Sequence, residues 1–272
     1  MQKRTYDSSH RNIGEFFDDV KQSLHRAGLW WALARQDIRN RYRRSYIGPF
    51  WITISMAFLI LGLGPLYSTL FKQDLSKFLP HIALGIIFWD FMSSSINDAS
   101  ASLYNSGGLL RSSRFPLGVP IFRSVSRSLI ILAHNLLVFI PVMIYTRSPI
   151  NANWLLVIPG IILVSLLIVT FAYTTSIVSA RYRDFESALR SVMQVMFFVS
   201  PIVWGRQLLP AEYAWVNDYN PFAAGLDVLR TPLMGEVPAL WSYQYLAMLL
   251  LAGVLLATAI VMWGKPRINY WL

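Results

Sequence analysis

Residues 50–71 read FWITISMAFLILGLGPLYSTLF. Twenty-two residues without a charge make a helix of about 33 Å, enough to cross a hydrocarbon layer about 30 Å thick. The whole chain agrees, with 55% of its 272 residues hydrophobic and only 14% charged. A soluble domain carries roughly a quarter charged residues. The expectation is an all-α integral membrane protein. Cysteine is absent, which removes disulfide, thiolate-metal and thiol chemistry. The first fifty residues are polar, so no cleaved signal segment is expected.

Outward from that stretch, the apolar pattern predicts six spans: 50–71, 78–104, 117–145, 154–180, 188–204 and 240–263. The second is unusually polar in its later half, and the fifth is short and interrupted by Pro201. The predicted organisation is a cytoplasmic amphipathic region over 1–49 and a six-helix transmembrane domain over 50–272. Six spans place both termini on one side. Of 24 Lys and Arg residues, 19 then fall on that side and five (Lys72, Lys77, Arg147, Arg206, Arg230) on the other. Positive charge is retained inside, so both termini are expected in the cytoplasm.

Immediately upstream, ARQDIRNRYRRSYIGPFW (34–51) packs five arginines into ten positions. Trp31, Ala34, Ile38 and Tyr42 recur at helical spacing on one face, with Arg35, Arg39 and Arg43 on the next. Arg41 and Arg44 complete the cluster. Ile13, Phe16, Phe17, Val20 and Leu24 repeat the period further upstream. Both stretches read as amphipathic interface helices. The arginines serve as a lipid anchor and topology signal, or also meet a cytoplasmic partner; a nucleic-acid role is not expected. Gly48 permits an elbow, and Pro49 suits the first turn of the entering helix.

The arrangement RxxIRxRYRxSxxGPxW, Arg35 to Trp51, resembles the start of permease subunits of type-2 ABC exporters. More narrowly, it is similar to the subfamily exporting O-antigen, capsular and teichoic acid polymers. LLRSSRFP (109–116), ARYRDFE (180–186), SPIVW (200–204) and NPF (220–222) agree in order and spacing. Arg111 and Arg114 stand where lysines are common in that family. The resemblance covers essentially the whole chain. It implies a homodimer, two copies of an ABC ATP-binding subunit, and a lipid-linked polysaccharide substrate in the bacterial inner membrane. It also implies an aromatic-lined channel and short re-entrant helices gating the outer mouth.

The residues supply matching arguments. No G-x-x-x-x-G-K-[ST] loop is present, so ATP and Mg would be bound by a partner subunit and this chain carries no cofactor of its own. No internal repeat lets one chain form both halves of a pore, whereas two copies about a two-fold axis would. Candidate channel residues are Trp51, Phe58, Tyr67, Trp89, Phe197, Phe198 and Trp204, because sugar C–H faces stack on aromatic rings. Asp90 and Asp98, costly at mid-membrane, either line a wet path or pair within the bundle. The serines around them either pack helices or face that path.

Candidate ATPase-coupling residues are Arg111, Arg114 and Phe115 in one inner loop, and Arg181, Arg183, Asp184 and Glu186 in the other. Between 205 and 239 the chain is apolar yet broken by prolines. Short helices are predicted near Pro210 and at Pro221, capped by Asn220 and ending before Pro232. They form an outer gate or a surface cap. His134 reads as a helix-packing hydrogen bonder, and no catalytic or metal constellation stands out. The expected function is the channel-forming subunit of a polysaccharide exporter. The alternatives are a drug or lipid exporter of the same architecture and a membrane glycosyltransferase or acyltransferase, which would need clustered His, Asp or Glu at a membrane face.

Overall fold

The computed structural model describes residues 14–112 and 115–272, without the side chains of Leu109, Arg111, Ser112, Gln207 and Asn269. Every regular element among the described residues is helical. Two helices, α1 (Gly14–His25) and α2 (Ala27–Arg41), precede α3 (Phe50–Leu70). Ala34 and Ile38 of α2 are buried while Arg35, Arg39 and Arg41 are exposed, as the spacing predicts. On α1, Phe16 is buried and Phe17 and Leu24 are exposed; Ile13 lies outside the described residues. Gly48 takes φ +63°, a left-handed elbow that a side chain would resist. Pro49 follows it at the cap position of α3.

The long helices α3, α4 (Leu75–Ser100), α7 (Gly118–Thr146), α8 (Val157–Arg181) and α12 (Leu240–Gly264) match five of the six expected spans. With the 3-10 turns that extend α8 and α12, they are the five long and apolar enough to cross a membrane. Helix α4 begins earlier than the apolar run suggests, because the Asp74 carboxylate accepts from the Ser76 amide at 2.8 Å. That amide and the Ser76 hydroxyl hold the Asp74 carboxyl below its usual range. The end of the predicted second span separates at Ala101 into α5 (Ser102–Asn105), followed by α6 (Gly107–Ser112).

The predicted fifth span differs most. Helix α9 runs Asp184–Val199, 16 residues or about 24 Å, and stops before Ser200-Pro201. Proline disfavours helical geometry in the residue before it, and Ser200 is extended at φ −89°, ψ 147°. The chain then bends through 201–204. A 3-10 turn at Ala211–Tyr213 continues into α10 (Ala214–Asp218), and α11 (Pro221–Arg230) follows. The expected helices near Pro210 and at Pro221 are both present.

Helix α4 is the centre of the bundle. Of its most apolar 18 residues 78% are buried, against 17–33% for the other four spanning helices. It packs on α3, α7, α8, α9 and α11. This enclosure explains its polarity: a helix surrounded by protein need not dissolve in lipid, and its polar side chains can find partners. The last short helix, α13 (Ile268–Trp271), folds back beside α8.

Candidate functional site

Beside α4, and walled on its other side by α9, lies an open groove of about 840 Å³. Trp89, Ser93 and Asn97 of α4 follow each other at four-residue intervals, which puts them on one face. Arg190, Gln194, Phe197 and Phe198 of α9 face them. Trp89 meets Phe197 edge-on at 5.8 Å and Phe222 of α11 at 5.3 Å. Phe198 is 74% exposed. Aromatic faces alternating with amide, hydroxyl and guanidinium groups make a surface able to bind a polar chain through many weak contacts. Arg190 is paired with Glu186 one turn away.

Three of the expected channel aromatics, Trp89, Phe197 and Phe198, meet here. Trp204 lies in the bend beyond α9, its indole N–H donating back to the Phe198 carbonyl at 3.0 Å. Trp51, Phe58 and Tyr67 belong to α3 and do not line this groove; Phe58 is 70% exposed and Tyr67 stacks on Phe71. Asp90 and Asp98 turn from α4 toward α7. Asn135 donates to Asp90 at 3.1 Å, and Arg127 to Asp98 at 2.7 Å. Pairing within the bundle, one of the two readings the sequence left open, is therefore present for both.

Arg127 belongs to a longer chain of charge. It also reaches Asp37 of α2 at 3.4 Å, and Arg123 grips the same carboxylate with two bonds of 2.8 and 2.5 Å. A polar cavity of about 100 Å³ adjoins this network, lined by Asp98, Ser102, Ser124 and both arginines. Deeper toward the N-terminus, Asp19 of α1 is 2% exposed. It accepts from the amides of Leu117 and Gly118 at 2.9 and 2.8 Å and from the Tyr173 hydroxyl at 2.9 Å. A carboxylate thus caps the first turn of α7. A Cβ on Gly118 would collide with Tyr173 and Ser23, so the close approach needs glycine. The sequence reading missed Asp19, Asp37 and Arg123. The one available signal was Asp37, the sole acid of α2 among its arginines; Asp19 stands on α1 beside Glu15 and Asp18.

The two candidate coupling loops lie at the same end of the bundle. Arg183 stacks over Tyr104 of α5 at 5.0 Å, and Arg181 over Tyr182, Trp263 and Trp271 at 5.1–5.9 Å. Asp184 opens α9 and is exposed. Phe115 receives the Arg26 guanidinium at 4.9 Å. Arg114 and the Arg111 side chain lie outside the described residues. In the cluster before α3, Arg35 covers Trp31 at 5.3 Å, while Arg43 and Arg44 are exposed.

At the other end of the bundle, Asn220 caps α11 by accepting from Phe222 and Ala223 at 2.9 and 3.3 Å, with Pro221 in the first turn. Pro210 is exposed ahead of the preceding turn. Helix α11 is enclosed by α4, α8 and α12. Its Arg230, 7% exposed, donates to the Pro201 carbonyl at 2.8 Å and lies 3.2 Å from His81. Asp227 accepts from Ser242 at 2.6 Å and from the Ala239 amide at 3.1 Å, which joins α11 to the start of α12. The His134 ring bonds within its own helix, to the Ile130 carbonyl at 2.8 Å, while the His134 carbonyl accepts from the Thr53 hydroxyl of α3 at 3.0 Å.

Residues 28–234 match the family model described as ABC-2 type transporter. Two O-antigen export system permease proteins RfbA from Klebsiella pneumoniae are 21% and 25% identical, each comparison covering 90% of both chains. A Myxococcus xanthus protein of the same name is 22% identical over 72% of this chain and 75% of its own. The family match takes in both candidate coupling loops, the groove helices and α11, and with five membrane-length helices the chain belongs to the ABC-2 type transporter family as a multi-pass membrane permease.

Proposed function

We propose that this chain forms the membrane path of an ATP-driven exporter for a lipid-linked polysaccharide resembling O-antigen. The observation that carries the reading is the groove between α4 and α9, where aromatic faces alternate with hydroxyl, amide and guanidinium groups. The relatives named as O-antigen export permeases favour a polysaccharide over a drug or a simple lipid. ATP hydrolysis belongs to separate ATP-binding subunits, since this sequence has no phosphate-binding loop of its own.

In this reading α9 and the bent segment 200–205 together make the fifth crossing, giving six spans with both termini in the cytoplasm. Two copies face each other so that each groove is closed by its partner. The two inner loops, through Arg111, Arg114, Phe115, Arg181, Arg183, Asp184 and Glu186, receive two ATP-binding subunits. Helices α10 and α11 enter the outer half of the membrane as a gate, braced by Asn220 and Arg230.

Gln194 is exposed in the groove and remote from the core, so a larger side chain there need not disturb folding. Gln194→Trp is expected to lower polymer at the cell surface at least tenfold, with the permease still in the membrane and still bound to its ATPase. Export at the normal rate would overturn the assignment of the groove as the path. Orientation has its own test in this naturally cysteine-free chain. A cysteine placed at Ile150 should react with an impermeant maleimide added outside; labelling only from the cytoplasmic side contradicts the topology.

A further inference from the structure

On the side of α9 away from the groove lies a second cavity, of about 350 Å³. Its walls come from α4, α8, α9, α11 and α12, and none of its lining residues is charged. Met92, Val164, Thr174, Met193 and Leu249 are representative. Thr170 and Thr174 turn their hydroxyls to the carbonyls of their own helix, leaving no polar group to bind water. A cavity this size with apolar walls stays dry, and left empty it forfeits packing on every side.

The cavity opens between membrane-spanning helices, past Phe171, Val192 and Leu256, which are exposed. Along α8 it runs from Val164 to Thr174, ten residues or about 15 Å. That is half of a hydrocarbon layer of about 30 Å, the depth of one leaflet. We propose that this cavity holds one acyl chain of a bilayer phospholipid, entering from the side between α9 and α12, and that the chain props α9 against the groove. The missing charge fits a site that selects a hydrocarbon chain and not a headgroup.

Helix α9 is the element such a prop would move. It packs on α4 and α8 over short stretches, whereas α12 packs along most of α8. Met193 lines the cavity and the groove alike, so α9 is one helix thick between them. With the chain in place α9 is held toward α4; with the chain withdrawn it has room to retreat and the groove widens. The propping role rests on the groove being the path, while the lipid site does not.

The test uses the permease with its ATPase in nanodiscs of phosphatidylethanolamine and phosphatidylglycerol containing a trace of phosphatidylcholine with a photoreactive acyl chain. Labelling is expected on the peptides of α8 and α9 that contain Thr174 and Met193. It should fall at least fivefold in Thr174→Phe and in Val192→Phe, which fill the cavity from opposite walls. It should persist in Leu251→Phe, which places the same ring on the exposed face of α12. No labelling of these peptides in the unaltered protein, or labelling unaffected by both fillers, overturns the site.

Spin labels on cysteines at 93 and 194 read the width of the groove directly. A narrower and shorter distance distribution is expected in the two filler variants, and an unchanged one overturns the prop. If Gln194→Trp exports normally, the groove reading fails by itself, because photolabelling requires no transport.

Discussion

Asp19→Ala is expected to be the most damaging single substitution in the N-terminal region, costing about 2–4 kcal/mol. The carboxylate takes two amide hydrogens and one phenol hydrogen, all in a dry pocket. Removing it strands two buried amides at the positive end of α7 and leaves Tyr173 without its acceptor. Asp19→Asn should cost about half as much. Its amide oxygen can still serve Gly118 and Tyr173, but its nitrogen would face the Leu117 N–H. The check is the apparent melting temperature of the detergent-purified permease, expected to drop by about 5–10 °C for alanine. Equal melting of Asp19→Ala and the unaltered protein would mean that α1 does not cap α7. If the loop of Arg111 and Phe115, which Leu117 directly follows, docks the ATPase as proposed, loss of this cap also weakens its retention.

Asp37→Ala is expected to release α2 from the bundle. Asp37 is the anion between Arg123 and Arg127, which stand one turn apart on α7. Without it Arg123 loses its carboxylate while Arg127 keeps only Asp98, and breaking a partly buried pair by removing one member costs about 2–4 kcal/mol. The chain from 42 to 48 is then expected to become the first site of proteolysis in the folded permease. A double-mutant cycle with Arg123→Met separates pairing from general damage. Coupling of more than about 1 kcal/mol is expected, so that the double variant is more stable than the two losses summed. Strict additivity would show that the pair contributes no specific attachment.

Exposed arginines such as Arg39 and Arg43 should behave differently. They lack carboxylate partners among the described residues and face outward, so each alone contributes little to folding stability.

The sequence by itself determined the membrane class, five of the six predicted segments to within a few residues, and the elbow at Gly48. These are local properties: a charge-free run of helix length, and a turn that favours a residue without Cβ. Asn220 and Pro221 were legible for the same reason, since a cap and a first-turn proline act on the amides next to them. Tertiary structure decided the partners. Asp90 and Asp98 were visible as anomalies in a membrane segment, but only the placement of α4 at the centre of the bundle gave them Asn135 and Arg127. Asp19 and Asp37 gave no local sign of what they hold, because their partners lie between 86 and 154 residues away in sequence. The channel aromatics divided for the same cause. Trp89 and Phe197 face one groove while Phe58 does not, and that depends on how α3, α4 and α9 are rotated against one another. Hydrophobicity tells a helix to enter the membrane, but it is nearly uniform around α3 and α12 and so cannot say which face meets protein. Packing and paired polar groups settle that, and they exist only once the helices have met.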